Sequence, residues 1–150
     1  MPLVQKSIEI NAPVETVFDF IANQPERMPD WWQAIKLQER VTPPPTRIGS
    51  VSRYVYKMLG ISLKGEHQVA EMTENRRLQV KTLSGLESAF TFDFEPLNNR
   101  TRLTVNVNYE LPGAIIGQFI DKLAIEMQNE RHLEVGLQNL KDIMESKQAI

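Results

Sequence analysis

Four polar side chains are of the kinds that orient a substrate or move its protons: Arg53, Tyr56, His67 and Tyr109. A guanidinium inside an apolar space needs a carboxylate beside it, from protein or ligand, because an unpaired buried charge is costly. Arg53 lies in Val51-Ser52-Arg53-Tyr54-Val55-Tyr56-Lys57, where one face carries Val51, Arg53, Val55 and Lys57 and the other Ser52, Tyr54 and Tyr56. With the first set inward, a cation enters the interior. With the second set inward, two phenols do, and Arg53 is an ordinary solvated strand residue. The same choice of parity applies to Glu66, His67 and Gln68. Tyr109 shares the parity of Leu103, Val105 and Val107, so its hydroxyl on a buried face anchors a ligand group or bonds to backbone.

Other chemistry is missing. The chain has no Gly-rich phosphate loop, no Gly-x-Ser-x-Gly elbow and no His-Glu-x-x-His zinc helix. With zero cysteines there is no disulfide, thiolate metal site or cysteine nucleophile, which suits a reducing cytoplasm, the expected location. A metal site needs three or more ligands, and the 2 histidines, His67 and His132, are too few to suggest one, so neither metal nor cofactor is expected. His132 reads as a residue of a helix surface. A formal net charge of -2 gives no reason to expect nucleic acid or an anionic membrane surface as partner. No apolar run is long enough to span a membrane, and Met1 to Ile10 alternates polar and apolar residues instead of resembling a signal peptide.

The elements that must position these residues are legible from periodicity. Leu3 to Ile10 reads as a strand, and Asn11-Ala12-Pro13 opens a short helix with Val14, Val17, Phe18 and Ile21 on its buried stripe. Asn23-Gln24-Pro25-Glu26 signals a second, brief helix with Asn23 as its cap, ended by Pro29 ahead of Trp31-Trp32. One tryptophan is expected to plug the core and the other to rim a cavity mouth. Ala34 to Val41 is a further strand, and Thr42-Pro43-Pro44-Pro45-Thr46 a stiff loop. Period-two patterning then marks strands at 50–58, 61–72, 78–84, 87–96 and 101–111, separated by short turns that make neighbours antiparallel. Met58, Leu59 and Ile61 fall at a hairpin tip, where exposed apolar residues suit an entrance.

From Ala114 to Glu145 an amphipathic run predicts one long helix of roughly 45 Å, with Ile116, Phe119, Ile120, Leu123, Met127, Leu133, Leu137, Leu140 and Met144 on its apolar face. The fold class is therefore α+β within a single domain spanning 1–150: about seven antiparallel strands curled around a C-terminal helix, with two short helices between the first two strands. Such a sheet and helix often leave a space between them.

Several stretches carry a resemblance to a known group. They are Ser7-Ile8-Glu9-Ile10-Asn11-Ala12-Pro13-Val14-Glu15-Thr16-Val17-Phe18, Pro29-Asp30-Trp31-Trp32, Ile48-Gly49-Ser50-Val51, Asn75-Arg76-Arg77-Leu78 and Asn99-Arg100-Thr101-Arg102-Leu103-Thr104. In their order they resemble the helix-grip fold of the START-related superfamily, which includes the birch-pollen allergen group, START lipid-transfer domains and the polyketide cyclase/dehydrase group. The last of these is the most similar. The resemblance implies a ligand cavity but not one function, since carriers, receptors and enzymes share the scaffold.

Three readings follow. In the first, the protein is a monomeric or homodimeric carrier of a small hydrophobic ligand: a lipid, isoprenoid, polyketide or aromatic molecule. Its lining would be Phe90, Phe92, Phe94, Val105, Val107, Tyr109, Phe119, Leu123 and Met127. In the second it is a polyketide cyclase/aromatase or dehydrase, with Arg53, Tyr56, His67 and Tyr109 as catalytic candidates. In the third, side chains fill the interior and no cavity exists.

Overall fold

The computed structural model of the chain describes residues 3–58, 60–110 and 122–148. The elements are β1 (Leu3–Ile10), α1 (Val14–Asn23), a 3-10 helix (Pro25–Asp30), β2 (Ile35–Arg40), β3 (Val51–Met58), β4 (Ile61–Thr73), β5 (Arg77–Ser84), β6 (Ser88–Leu97), β7 (Arg100–Tyr109) and α2 (Lys122–Gln148). All seven strands form one antiparallel sheet in the order β1-β7-β6-β5-β4-β3-β2. Each strand from β2 to β6 pairs with its successor, and β1 forms the edge beside β7. This is the α+β sheet-and-helix architecture that the periodicity predicts, and the helix-grip fold that the resemblance implies.

Local chemistry explains the boundaries. Strand β7 buries Thr101, Leu103, Val105, Val107 and Tyr109 while Arg102 is exposed, the alternation of a sheet covered on one face. The tight turns are made by Asn75, Asn98 and Asn99, all at positive φ, a conformation asparagine tolerates better than most residues. Helix α1 follows Pro13 and buries Val14, Val17, Phe18, Phe20, Ile21 and Ala22. Asn23 does not cap the helix after it. Its carbonyl instead accepts from Arg40 Nη2 at 2.5 Å and its side-chain oxygen from the Thr46 amide at 3.3 Å, which ties α1 to the proline loop.

The expected start of the long helix at Ala114, with Ile116, Phe119 and Ile120, lies outside the described residues. From Lys122 onward α2 runs 27 residues. Its buried side chains are Ile125, Asn129, Leu133, Leu137, Leu140 and Met144. Met127 is not among them: it is 62% exposed. Six residues separate Met127 from Leu133, which at 100° per residue puts them about 120° apart around the helix. The true stripe passes through Ile125 and Asn129. Gly136 faces the Trp31-Trp32 backbone, and a Cβ there would stand 3.2 Å from the Trp31 carbonyl oxygen, so any side chain would push the helix and that turn a few tenths of an ångström apart. Asn139 Nδ2 donates to the same carbonyl at 3.2 Å.

Under α1, Phe18 meets Phe94 edge to face with centroids 5.1 Å apart. Trp31 and Trp32 are both buried, so neither rims a mouth, and Met58 is buried as well instead of exposed at a hairpin tip. No helix among the described residues is long and apolar enough to cross a membrane. Phe92, with no solvent exposure, tests the core directly. Phe92→Ala is expected to lower stability by about 3–5 kcal/mol in a urea melt. A loss under about 1 kcal/mol would show that its surroundings are already loose.

Candidate functional site

Among the described residues the inner side of the sheet borders not one cavity but two small ones. The first, of about 40 Å³, lies between β3, β4, β6, β7 and α2, and its walls include Tyr54, Tyr56, Met58, Val107, Tyr109, Asn129 and Leu133. The second, of about 50 Å³, lies under α1 and the 3-10 helix, against Gln38, Thr46, Ser52, Val69, Leu78 and Phe92. Ile35, His67 and Phe90 belong to both linings and so form the partition. Each chamber has room for about two or three waters. The interior is thus fuller than the single-cavity expectation, though not solid.

His67 is positioned by its strand neighbours. In the β3–β4 register Ser52 faces His67 and Tyr54 faces Gly65, so Tyr54 and His67 are diagonal neighbours on the inner face. Their rings stack at 4.0 Å, 8° from parallel. The stack depends on two glycines. A Cβ at Gly65 would come 2.8 Å from the Tyr54 hydroxyl, and one at Gly85 2.6 Å from it. Glycine inside a strand here marks a close approach. On its other side the imidazole meets Phe90 edge to face, centroids 5.2 Å apart.

The polar partners of His67 decide its tautomer. Gln38 Nε2 donates to Ser52 Oγ at 2.6 Å and lies 3.4 Å from His67 Nδ1. With Nδ1 as acceptor, the proton is on Nε2, which has no protein partner. Burial holds the imidazole pKa down to about 4, so the ring is neutral at ordinary pH.

The first chamber repeats this neutrality. Among its described lining residues none carries a charge. Tyr56 donates to Asn129 Oδ1 at 2.8 Å, and Asn129 Nδ2 in turn contacts Met58 Sδ at 3.3 Å. Burial raises the pKa of Tyr56, with Tyr109 adding to the shift. Burial also raises Tyr109, against a nearby Asn129 amide that favours the ionised form. Even so, no hydrogen bond of good geometry reaches the Tyr109 hydroxyl, and the Trp32 indole N–H is likewise unpaired. Three buried donors, Trp32 Nε1, His67 Nε2 and Tyr109 OH, therefore border one apolar space without protein partners. Such an orphan typically costs about 1–3 kcal/mol. Neutral donors of this kind suit an oxygen acceptor on an otherwise apolar ligand. They suit proton abstraction poorly, since a base of pKa about 4 is weak at neutral pH.

The residues singled out by sequence divide accordingly. Tyr56, His67 and Tyr109 meet in the first chamber, whereas Arg53 points outward and pairs with Glu39 at 3.5 Å on the solvent side. Phe90 and Val107 line the first chamber and Phe92 the second. Phe94 and Val105 are buried in core contacts away from both chambers. Met127 is on the exposed side of α2. Phe119 and the side chain of Leu123 lie outside the described residues. Tyr54 is inward, as one of the two parities open to β3 allowed, and Gly65, a glycine inside a strand pattern, signalled its stack on His67; missed by sequence reasoning were Gln38, Thr46, Trp32's free N–H and Asn129. His132, half-buried, is elsewhere, its pKa lowered by burial and by Lys36. Among the described residues no cluster of three or more His, Asp or Glu is placed to hold a metal ion.

A family profile described as polyketide cyclase / dehydrase and lipid transport matches residues 1–145. No curated protein matches the chain in sequence. Among solved structures, one from Thermus thermophilus superposes with a TM-score of 0.81 at 22% identity, over 97% of this chain and 99% of that one. A START superfamily protein from Mycobacterium smegmatis gives 0.74 at 21% identity, over 97% and 99%. The Zhui aromatase/cyclase of a Streptomyces species gives 0.74 at 16%, over 95% and 93%.

The depressed pKa of His67 has a consequence for stability. The unfolded chain takes up a proton near pH 6.5, while the folded chain resists until about pH 4, so the unfolded state binds more protons between these values. Stability due to a neutral His67 is therefore whole above about pH 6.5 and declines as pH falls toward 4, by about 3 kcal/mol in all. Urea melts at pH 7 and pH 4 should show wild type losing that much more than His67→Phe, in which His132 is unchanged. Parallel losses would mean that the folded protein protonates His67 freely.

Proposed function

The chain belongs to the polyketide cyclase/dehydrase and lipid-transport family, and from that premise we propose that it binds a small, uncharged, largely apolar molecule bearing an oxygen acceptor. The observation that carries this reading is the meeting of three unpaired neutral donors, Trp32, His67 and Tyr109, in a space whose described walls carry no charge. An acceptor oxygen would satisfy donors that the protein leaves unmatched, and the apolar remainder would replace surface now poorly packed. A ring-sized ligand exceeds either chamber alone, so binding joins them by turning the Ile35 and Phe90 side chains of the partition while His67 stays against Gln38. We take the carrier to work in the cytoplasm, as a monomer or homodimer, on a lipid, isoprenoid, polyketide or aromatic molecule.

An aromatase/cyclase reading has one observation in its favour: Tyr56, His67 and Tyr109 share a chamber in a fold similar to that of the Zhui enzyme. Against it, the described groups of that chamber are moved away from neutrality: His67 is lowered to about 4 and the tyrosines are raised.

Fluorene and its ketone, fluorenone, separate the possibilities. Fluorenone at 100 times its Kd is expected to raise stability by about 2.7 kcal/mol, and to bind more tightly than fluorene. Tyr109→Phe should reduce that preference by roughly 2–13-fold, the range of one neutral hydrogen bond. Fluorene and fluorenone failing alike to bind would sink the carrier reading. Turnover of polyketide thioesters that drops 10²–10⁴-fold in His67→Ala, with binding kept, would establish the enzyme instead.

A further inference from the structure

The second chamber has a polar chemistry that the first lacks. Gln38 and Thr46, both more than nine-tenths buried, line it, and neither Gln38 Oε1 nor Thr46 Oγ1 has a protein partner. Gln38 is held in place from its other end, by Ser52 and His67, which leaves its amide oxygen as an acceptor fixed in direction. Thr46 is held through its backbone by Asn23, which leaves its hydroxyl unengaged. Among the described lining residues the one cationic side chain, Arg40, is already occupied: its Nη2 donates to the Asn23 carbonyl at 2.5 Å and its Nε pairs with Glu26 at 3.3 Å.

An acceptor beside a hydroxyl, with no free charge, selects among ligand groups. A carboxylate or phosphate would lie against the Gln38 oxygen with no cation left to balance it. A methyl group would leave both protein atoms unsatisfied. A hydroxyl donates to Gln38 Oε1 and accepts from Thr46 Oγ1, and so satisfies both. The two chambers adjoin through His67, whose two nitrogens face different duties: Nδ1 toward Gln38 and Nε2–H unpaired.

We propose that the second chamber is a hydroxyl-recognising subsite. The ligand class is then an apolar molecule with a carbonyl-type acceptor at one end, for the donors of the first chamber, and an alcohol or phenol at the other, for Gln38 and Thr46. This rests on the carrier reading above and narrows it from hydrophobic molecules in general to hydroxylated ketones and their like.

Calorimetric titration of fluorenone and its monohydroxylated isomers tests the subsite. At least one isomer should bind about fivefold or more tightly than fluorenone, the worth of one to two net hydrogen bonds. In Thr46→Val that preference should shrink about fivefold while fluorenone affinity stays at the wild-type value. The Thr46 hydroxyl makes no bond within the protein, so this variant should melt at or above the wild-type temperature. Gln38→Leu should remove the preference as well; if it fails to fold, Thr46→Val alone decides. Fluorenone binding with no gain from any hydroxyl, or a gain that survives Thr46→Val, overturns the subsite but leaves the carrier reading standing. That result would assign the chamber to water only. Failure of fluorenone itself to bind refutes the carrier reading and the subsite with it.

Discussion

A seven-stranded sheet is wider than the helix that must cover it. Strands spaced about 4.8 Å apart make a sheet some 29 Å across, while a helix with its side chains is about 10 Å thick. The concave face cannot be sealed by α2 alone, and much else in the molecule answers that mismatch. The buried stripe of α2 from Leu133 to Met144 serves the part nearest β1, where Lys6 also pairs with Glu130 at 2.8 Å. Helix α1 and the Trp31-Trp32 turn cover the rest, with Phe18 against Phe94 and Trp32 against Phe90. The two chambers are what remains between these covers, and His67 stands where the covers meet.

A polar group at that seam must be uncharged. The imidazole is driven to its neutral form by burial, the phenols of Tyr54, Tyr56 and Tyr109 are all made harder to ionise by the same cause, and Asn129 supplies a neutral partner from the helix. Arg40, paired with Glu26 beside the second chamber, is an exception; elsewhere charges pair on the outer face, where Arg53 meets Glu39 and Arg77 meets Asp93. Pairs as exposed as these add at most about 1 kcal/mol each. Around the first chamber the division holds throughout the described lining: ionic pairs stay outside and neutral polar groups stay inside.

How much of this could be read in the sequence depended on whether a residue type declares its surroundings. Strands β6 and β7 did so, because Phe90-Phe92-Phe94 and Leu103-Val105-Val107 have apolar residues on one parity and polar ones on the other. Strand β3 did not, since both of its faces mix aromatic, aliphatic and polar groups; only pairing with β4 places Tyr54 inward and Arg53 outward. The helix misled in one place. A methionine at 127 invites inclusion in an apolar stripe and an asparagine at 129 discourages it, yet the asparagine is buried because Tyr56 and Met58 satisfy its amide. Burial of a polar side chain depends on partners from distant strands, and no local window contains them. The division of the interior at His67 was hidden for the same reason: it is made by Ile35, His67 and Phe90 from three different strands.

Trp31 and Trp32 are the 2 tryptophans of the chain, adjacent in sequence, both buried, with ring centroids 5.7 Å apart. Trp32 also borders the first chamber and touches Phe90 of the partition. All indole emission from this protein therefore originates within one small region beside the proposed pocket, and none from the solvent-facing surface. Excitation passes readily between two rings so close, so a molecule that quenches one dims both. The protein is built as its own optical sensor: its native fluorescence reports on what occupies the interior, without an added dye or a label.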